Sequence, residues 1–162
     1  MKKNLFLIFF FLLLVLFQAS FFYHFNLWGV TPNLVLIFLV LLNFFEKKSE
    51  KSGIFIAAFS GLLLDFFSGL SFGVYFLTFI FLAFLIKKIL KSLGEENIVY
   101  FILVFLFSFF IYNLLPFLLN SLFSLSFIFH FNFGKTNFFA LFYNLLSAIF
   151  FFFLTDYAKK YF

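Results

Sequence analysis

The chain of 162 residues is 66% hydrophobic and only 10% charged, and its mean hydropathy is +1.21. This composition is typical of an integral membrane protein, and the length leaves room for a single polytopic membrane domain, 1–162. Because cysteine is absent, disulfides, zinc–thiolate sites and a cysteine nucleophile are excluded.

Six apolar segments predict an all-α integral membrane protein with six transmembrane helices. A helix needs about 20 apolar residues to cross a hydrocarbon core of about 30 Å. In chain order the segments are 5–23, 32–45, 53–67, 72–86, 98–119 and 138–155. The second, third and fourth are short for this purpose. Tilted helices, re-entrant helices or helices lengthened by flanking residues are therefore alternatives for these three.

The first segment has the basic start and apolar core of a secretory signal peptide. A cleavage site needs small residues in an A-x-A-like pattern. Cleavage after Ala19 would place Phe17 at the upstream position, and cleavage after Ser20 would place Gln18 there. Neither residue is small, so we expect an uncleaved first helix.

The second segment starts with residues that favour a helix N-terminus. Thr31 can serve as the N-cap with Pro32 at the first helical position, where the missing N–H costs nothing. Asn33 adds a further side chain that can cap. These three residues predict a well-defined helix start on the outer side of the membrane.

The lysines predict the orientation of the segments. The net charge is +5, and all eleven basic residues are lysines. If the six segments cross alternately, ten lysines fall on one side and only Lys135 falls on the other. The positive-inside rule makes the ten-lysine side cytoplasmic and places both termini there. The positive charge therefore needs no nucleic-acid partner.

Small residues and one acid repeat every four positions in and after the third segment. Residues at i and i+4 share one face of a helix, and small residues there let a neighbouring helix approach closely. The set that we predict to pack helices and to position a partner consists of Ala57, Gly61, Asp65, Gly69 and Gly73.

Asp65 needs a separate explanation, because a charge at the centre of a membrane helix costs about 2.5–3.5 kcal/mol. Its carboxylate could bond its own turn near Ser68, or it could form a fixed polar contact that organises the bundle or a partner helix. A proton or cation pathway is a third alternative, although the segments hold no second acid. If geometry matters most, Asp65→Asn should keep most of the function.

Other polar residues in the segments predict helix packing. Four amide or hydroxyl side chains are expected to face inward and to bond across helices: Gln18, Asn113, Asn144 and Ser147. Pro116 is expected to kink the fifth helix, because proline removes a backbone hydrogen bond.

The outer loops offer little catalytic chemistry. The loop 120–136 alternates polar and apolar residues, which predicts either a half-buried strand or an interfacial helix or folded loop. His24 and His130 lie in separate loops without a carboxylate cluster. We therefore expect no metal site, no cofactor and no enzyme activity.

One motif extends from the second segment to the end of the third. Pro-Asn-Leu-Val-Leu, 32–36, is followed by a short basic loop and then by Gly61, Asp65, Gly69 and Gly73. With this motif the chain resembles the rod shape-determining protein MreD family. That family usually has Pro-Asp-Leu and a Leu-Gly turn at these places, so Asn33 and Phe72 depart from its pattern. Asn33 removes a charge and leaves the capping role intact.

The resemblance implies a non-enzymatic scaffold in the bacterial cytoplasmic (inner) membrane. It implies association with the single-pass protein MreC, and through it with the actin-like filament protein MreB. The glycosyltransferase RodA and a transpeptidase, which build the lateral peptidoglycan, would belong to the same cell-elongation complex.

A substrate-binding membrane subunit of a vitamin-type (energy-coupling factor) transporter is the alternative from another class. Such subunits are also six-helix proteins of similar size, and they usually carry an alanine-rich face on the first helix. The first segment here is nearly all Phe and Leu, with Ala19 and Ser20 only at its end. This composition counts against the transporter.

Overall fold

The computed structural model describes residues 2–20, 30–47, 49–93, 97–123 and 135–161. These residues form six α-helices: α1 (Lys2–Ser20), α2 (Leu34–Phe45), α3 (Ser52–Ser68), α4 (Val74–Leu93), α5 (Ile98–Phe123) and α6 (Lys135–Tyr161). Each predicted segment overlaps one helix. Within the described residues, three stretches are long and apolar enough to cross a membrane: Lys3–Ser20, Ile98–Phe123 and Phe138–Ala158.

Some helices continue past the ends of the predicted apolar segments, because a residue that ends an apolar run does not always end a helix. α4 continues through Lys87 and Lys88 to Leu93, because lysine is a good helix former although it ends an apolar run. α5 continues past Pro116 to Phe123, and the predicted kink stays a prediction. Residues 21–23 of the first segment, and 124–134 of the outer loop, lie outside the described residues.

The central element of the bundle is α2. Eleven of its twelve residues are apolar, and nine of the twelve are buried. A helix that is apolar on every side is expected to be surrounded by other elements. This is the case for α2, which contacts all five of the other helices.

The other five helices form an open ring around α2. Contacts run from α1 to α3, from α3 to α4, from α4 to α5 and from α5 to α6. In the described part of the chain α1 and α6 do not contact each other. The ring is therefore open between these two helices, and we call this opening the α1/α6 gap.

Phenylalanine rings join the helices inside the ring. Phe44 of α2 lies 5.3 Å from the ring of Phe101 on α5, which lies 4.7 Å from the ring of Phe152 on α6. Such pairs contribute about 0.5–1.5 kcal/mol each beyond their area burial. Between helices in lipid there is no hydrophobic driving force, so ring packing of this kind matters more than burial itself.

Candidate functional site

Three helices in the middle of the chain start inside the bundle, and each start receives side-chain acceptors from other helices or loops. The first four N–H groups of any helix lack intrahelical partners. Where such groups are buried in a membrane protein, they must find acceptors within the protein. The candidate site is therefore a set of helix caps at the starts of α2, α3 and α4.

The Asp65 carboxylate caps the N-terminus of α4. Its Oδ2 accepts the N–H groups of Gly73 at 3.0 Å and of Phe76 at 3.2 Å. Its Oδ1 accepts the N–H of Tyr75 at 2.8 Å. Asp65 is 5% exposed, so the charge is removed from solvent but has three backbone donors. The positive end of the α4 dipole adds to this stabilisation.

The turn between α3 and α4 brings the start of α4 back to Asp65. Gly69 ends α3 with φ +66°, and Gly73 precedes α4 with φ +96°, both in the left-handed region that favours glycine. The Ser71 N–H donates to Oδ1 of Asn120 on α5 at 3.0 Å, which ties the turn to a third helix. The chain therefore reverses within five residues, one turn after Asp65.

Gly61 marks the closest approach of α3 to α4. A Cβ at Gly61 would lie 2.7 Å from the Cα of Phe76 and 2.7 Å from the carbonyl oxygen of Tyr75. Both are backbone atoms of the same turn that Asp65 caps. Ala57, one turn earlier, has no exposed surface. The structure thus places Ala57, Gly61 and Asp65 on one buried face of α3.

Gly69 and Gly73 do not share the packing role that the fourfold spacing predicts. A Cβ at either position would meet no atom within 4 Å. Both lie outside the helices, because α3 ends at Ser68 and α4 starts at Val74. What these two positions require is a positive φ and not a close helix neighbour, and their predicted role in positioning a partner stays a prediction.

Of the contacts predicted for the Asp65 carboxylate, the structure shows the fixed polar contact within the bundle and not a bond to Ser68 in its own turn. The Ser68 hydroxyl donates to the backbone carbonyl of Asp65, at 3.4 Å, and the carboxylate itself reaches the next helix. Its fixed polar contact therefore lies within the bundle, between α3 and α4.

The start of α2 is held by three amide side chains from three helices or loops. Asn33 is the N-cap, and its Oδ1 accepts the N–H of Leu36 at 3.0 Å. The Asn33 N–H donates to Oδ1 of Asn144 on α6 at 2.6 Å. The Val35 N–H donates to Oε1 of Gln18 on α1 at 3.1 Å. The start of α2 thereby connects α1, α2 and α6.

These contacts correct one prediction and confirm part of another. Thr31 is not the N-cap and Pro32 is not the first helical residue. The N-cap is Asn33, and α2 starts at Leu34, because asparagine caps a helix better than threonine does. Gln18 and Asn144 do bond across helices, as predicted.

Two other polar side chains bond within their own helices. The Asn113 amide donates to the Phe109 carbonyl, and the Ser147 hydroxyl to the Tyr143 carbonyl, each four residues earlier. These hydrogen bonds of Asn113 and Ser147 stay within one helix and do not provide the predicted bond to another helix.

Glu46 caps α3 at the end of the bundle opposite to Asp65. Its carboxylate accepts the Gly53 N–H at 3.0 and 2.9 Å and the Ser52 hydroxyl. The Lys87 ammonium on α4 lies 2.5 Å from Oε2 and also donates to the carbonyl of Glu50. The side chain of Glu46 is 1% exposed and that of Lys87 is 13% exposed.

Several effects act on the ionisation of Glu46. Burial raises the pKa of the Glu46 carboxyl, but hydrogen bonds from Lys87, Ser52 and the Gly53 N–H lower it, and so does the positive charge of Lys87. The net result is a pKa below the ordinary value of 4.5. Glu46 is therefore ionised at neutral pH and forms a buried ion pair.

The sequence predicts only a short basic loop at 46–51, and this buried cluster is not part of that prediction. Lys87 lies 41 residues from Glu46, so no local pattern connects them. One signal was available, namely a Ser-Gly pair at the start of a predicted helix six residues after an acid. A Cβ at Gly53 would lie 2.7 Å from Glu46 Oε2, which explains the glycine.

The two acids do not form a catalytic pair. Asp65 lies 13 residues after Ser52 along α3, which corresponds to about 20 Å at about 1.5 Å per residue. In the described ranges there is no group of three or more His, Asp or Glu side chains that could hold a metal ion. His24 and His130 lie outside those ranges. The chemistry of the site is the fixing of helix ends.

An all-helical bundle with membrane-length apolar helices, whose buried acids cap neighbouring helices, is a helical membrane protein. Over residues 2–161 the chain matches the family of the rod shape-determining protein MreD. The protein therefore belongs to the MreD family and has a role in determining rod shape, and the resemblance in 32–73 is confirmed. This is a family of shape-determining membrane proteins and not a known enzyme family. Comparisons with curated proteins and with solved structures found no match.

Proposed function

We propose that this protein is a non-enzymatic scaffold of the cell-elongation complex in the bacterial inner membrane. Its direct partner would be an MreC-like single-pass protein. Through that partner it would organise an MreB-like filament, a RodA-like glycosyltransferase and a transpeptidase during lateral peptidoglycan synthesis. Membership of the MreD family over 2–161 is the observation that carries this proposal.

The use of the buried polar groups supports a scaffold. Asp65 and Glu46 bind backbone N–H groups of the following helix, and Asn33, Asn144 and Gln18 bind those of α2. Such contacts fix helix ends in one arrangement and move no proton or electron. A rigid arrangement is what a protein needs in order to present a constant surface to partners.

We also propose six membrane spans with both termini in the cytoplasm. The helix α2 is short for a membrane span, because its 12 residues extend only about 18 Å across a hydrocarbon core of about 30 Å. Non-helical backbone is tolerated at membrane depth where it is buried in protein. Because α2 is surrounded by the other five helices and capped by side chains, its short length is compatible with a span.

The topology predicts opposite accessibility for two cysteine substitutions in this naturally cysteine-free chain. Ser49→Cys should react with a membrane-impermeant maleimide only after the membrane is opened, because the 46–51 loop would be cytoplasmic. Ser126→Cys should react in intact spheroplasts. Labelling of Ser49→Cys from outside would contradict the six-span arrangement.

The scaffold role predicts a shape defect on depletion. Depletion of the protein from a rod-shaped host should produce rounded cells, because lateral wall synthesis would lose its organiser in the membrane. Cell width and the pattern of fluorescent D-amino acid incorporation measure this effect. Re-expression of the wild-type chain is the control. Cells that stay rod-shaped but lose uptake of a vitamin would support the transporter subunit instead.

A further inference from the structure

The α1/α6 gap contains a groove that the capping network does not use. Its volume is about 270 Å³. The floor is α2, through Phe38, Leu41 and Leu42, and α1 contributes Leu7 and Phe10 to one wall. This surface is apolar over most of its length, and it opens sideways between two helices that do not contact each other.

One end of the groove is polar and basic. Lys3 and Thr155 line that end, together with the buried Glu46. α1 begins with two lysines, Lys2 and Lys3, and α6 carries Lys159 and Lys160 in its last turn. The two helices that border the gap therefore bring four lysines to the same end of the bundle.

The acids at this end do not cancel these lysines. Glu46 is already held by Lys87, at 2.5 Å. Lys3 pairs with Glu50, but their side chains are 58% and 37% exposed, and exposed pairs contribute little. Asp156 on α6 is a further acid at this end, and Glu95 and Glu96, between α4 and α5, lie outside the described residues. In the sequence, the termini and connections on this side of six alternating segments hold ten lysines against five acids. An anion that approached the groove would therefore meet a net positive charge.

We infer that this groove binds an anionic phospholipid. One acyl chain would lie on Phe38 and Leu42 between α1 and α6, and the phosphate would lie beside Lys3. Basic pockets between transmembrane helices are suited to anionic headgroups. The lysines favour a headgroup with net negative charge over a zwitterionic one.

The basic end of the groove favours a lipid over a transmembrane helix as its occupant. An apolar helix has no anionic group to place beside Lys3, whereas an anionic lipid places its phosphate there and its acyl chain on the apolar floor. A flexible acyl chain can enter the groove from the bilayer. This inference needs only that the bundle is embedded in a membrane, and it does not depend on the proposed scaffold partners.

Brominated lipids that quench tryptophan fluorescence test the inference on the purified full chain. Trp28→Phe removes the single natural tryptophan. Phe38→Trp then reports on the groove, and Phe107→Trp reports on an exposed surface of α5. The protein is reconstituted in mixtures of phosphatidylglycerol and phosphatidylcholine, with either lipid brominated, and the relative binding constant is measured at each reporter.

At Phe38→Trp, phosphatidylglycerol should be preferred about fivefold, the effect of one lysine beside an anionic headgroup. At Phe107→Trp the ratio should be close to one. Lys3→Gln should bring the groove ratio towards one, and Lys88→Gln, an exposed lysine outside the groove, should leave it unchanged.

Three results would overturn the inference. They are equal ratios at the two reporters, a groove ratio insensitive to Lys3→Gln, and a groove reporter that neither lipid quenches. Native mass spectrometry of the unaltered chain and of Lys3→Gln gives a second measurement that needs no tryptophan in the groove. A phosphatidylglycerol adduct that Lys3→Gln does not weaken would also contradict it. Failure of either measurement would leave the shape phenotype, and so the scaffold proposal, unaffected.

Discussion

Replacement of Asp65 by leucine should abolish function and strongly destabilise the bundle. The change leaves the N–H groups of Gly73, Tyr75 and Phe76 without their acceptor. Each buried donor that loses its partner costs about 1–3 kcal/mol, so the total loss should be several kcal/mol. Complementation of a depletion strain at matched membrane abundance, and thermal unfolding in detergent, measure the two effects.

Asp65→Asn should have an effect between those of the wild type and Asp65→Leu. This loss is larger than the sequence predicts, since the sequence alone leads us to expect that Asp65→Asn keeps most of the function. Both carboxylate oxygens accept bonds, Oδ2 from two donors and Oδ1 from one. Asparagine has only one oxygen, so its NH₂ group would face a backbone N–H, and the charge at the positive end of α4 would be lost. We expect stability in the order Asp, Asn, Leu, with function following stability.

Two companion variants make this test specific. Phe66→Leu changes an exposed neighbour on the same helix and should have little effect. Gly61→Leu should fail like Asp65→Leu, because its side chain would collide with the backbone of α4 at Tyr75 and Phe76. An inactive Asp65→Asn protein with wild-type stability would contradict the capping role and would favour a proton pathway.

The sequence predicts which face of α3 packs closely against a neighbour, but it does not predict which helix that neighbour is. The small residues at 57 and 61 indicate a close helix neighbour, and the structure identifies α4. The groups that Asp65 binds are backbone N–H groups, which have no signature in the sequence. The Asp65 carboxylate in an apolar run therefore indicates that hydrogen-bond donors lie nearby, but the sequence does not indicate which groups they are.

The arrangement of the helices around α2 could not be predicted for a related reason. In a soluble protein, polar residues mark the outer face of each helix. Here the outer face meets lipid and is as apolar as the inner face; Phe66 is 72% exposed, whereas Phe44 is 2% exposed. Hydropathy therefore gave the number and order of the helices, while the open ring follows from packing contacts between residues far apart in the chain.

Replacement of Glu46 should also be strongly destabilising, and more damaging than replacement of its partner Lys87. Loss of one member of a buried ion pair costs about 3–5 kcal/mol, because the other charge stays buried. Glu46→Gln leaves the Lys87 ammonium without its carboxylate and weakens the cap on α3. Lys87→Met leaves Glu46 with the Gly53 N–H and the Ser52 hydroxyl.

Because the pKa of Glu46 is lowered, the stability that its ionised carboxylate contributes to the fold depends on pH. A carboxyl whose pKa is lower in the folded protein than in the unfolded chain stabilises the fold above the unfolded value. That contribution is complete well above pH 4.5, the ordinary value, and it is lost as the pH falls through the lower pKa of the folded state. Acid should therefore destabilise the wild type more than Glu46→Gln.

Thermal unfolding of the purified protein at neutral pH and near pH 4 measures both effects. At neutral pH the midpoint should fall in the order wild type, Lys87→Met, Glu46→Gln, and the difference between wild type and Glu46→Gln should shrink in acid. Lys88→Met is the matched control, since Lys88 is the exposed neighbour of Lys87 and should leave the midpoint unchanged. If Lys88→Met and Lys87→Met were equally destabilised, general charge would explain the loss, and the buried pair would not.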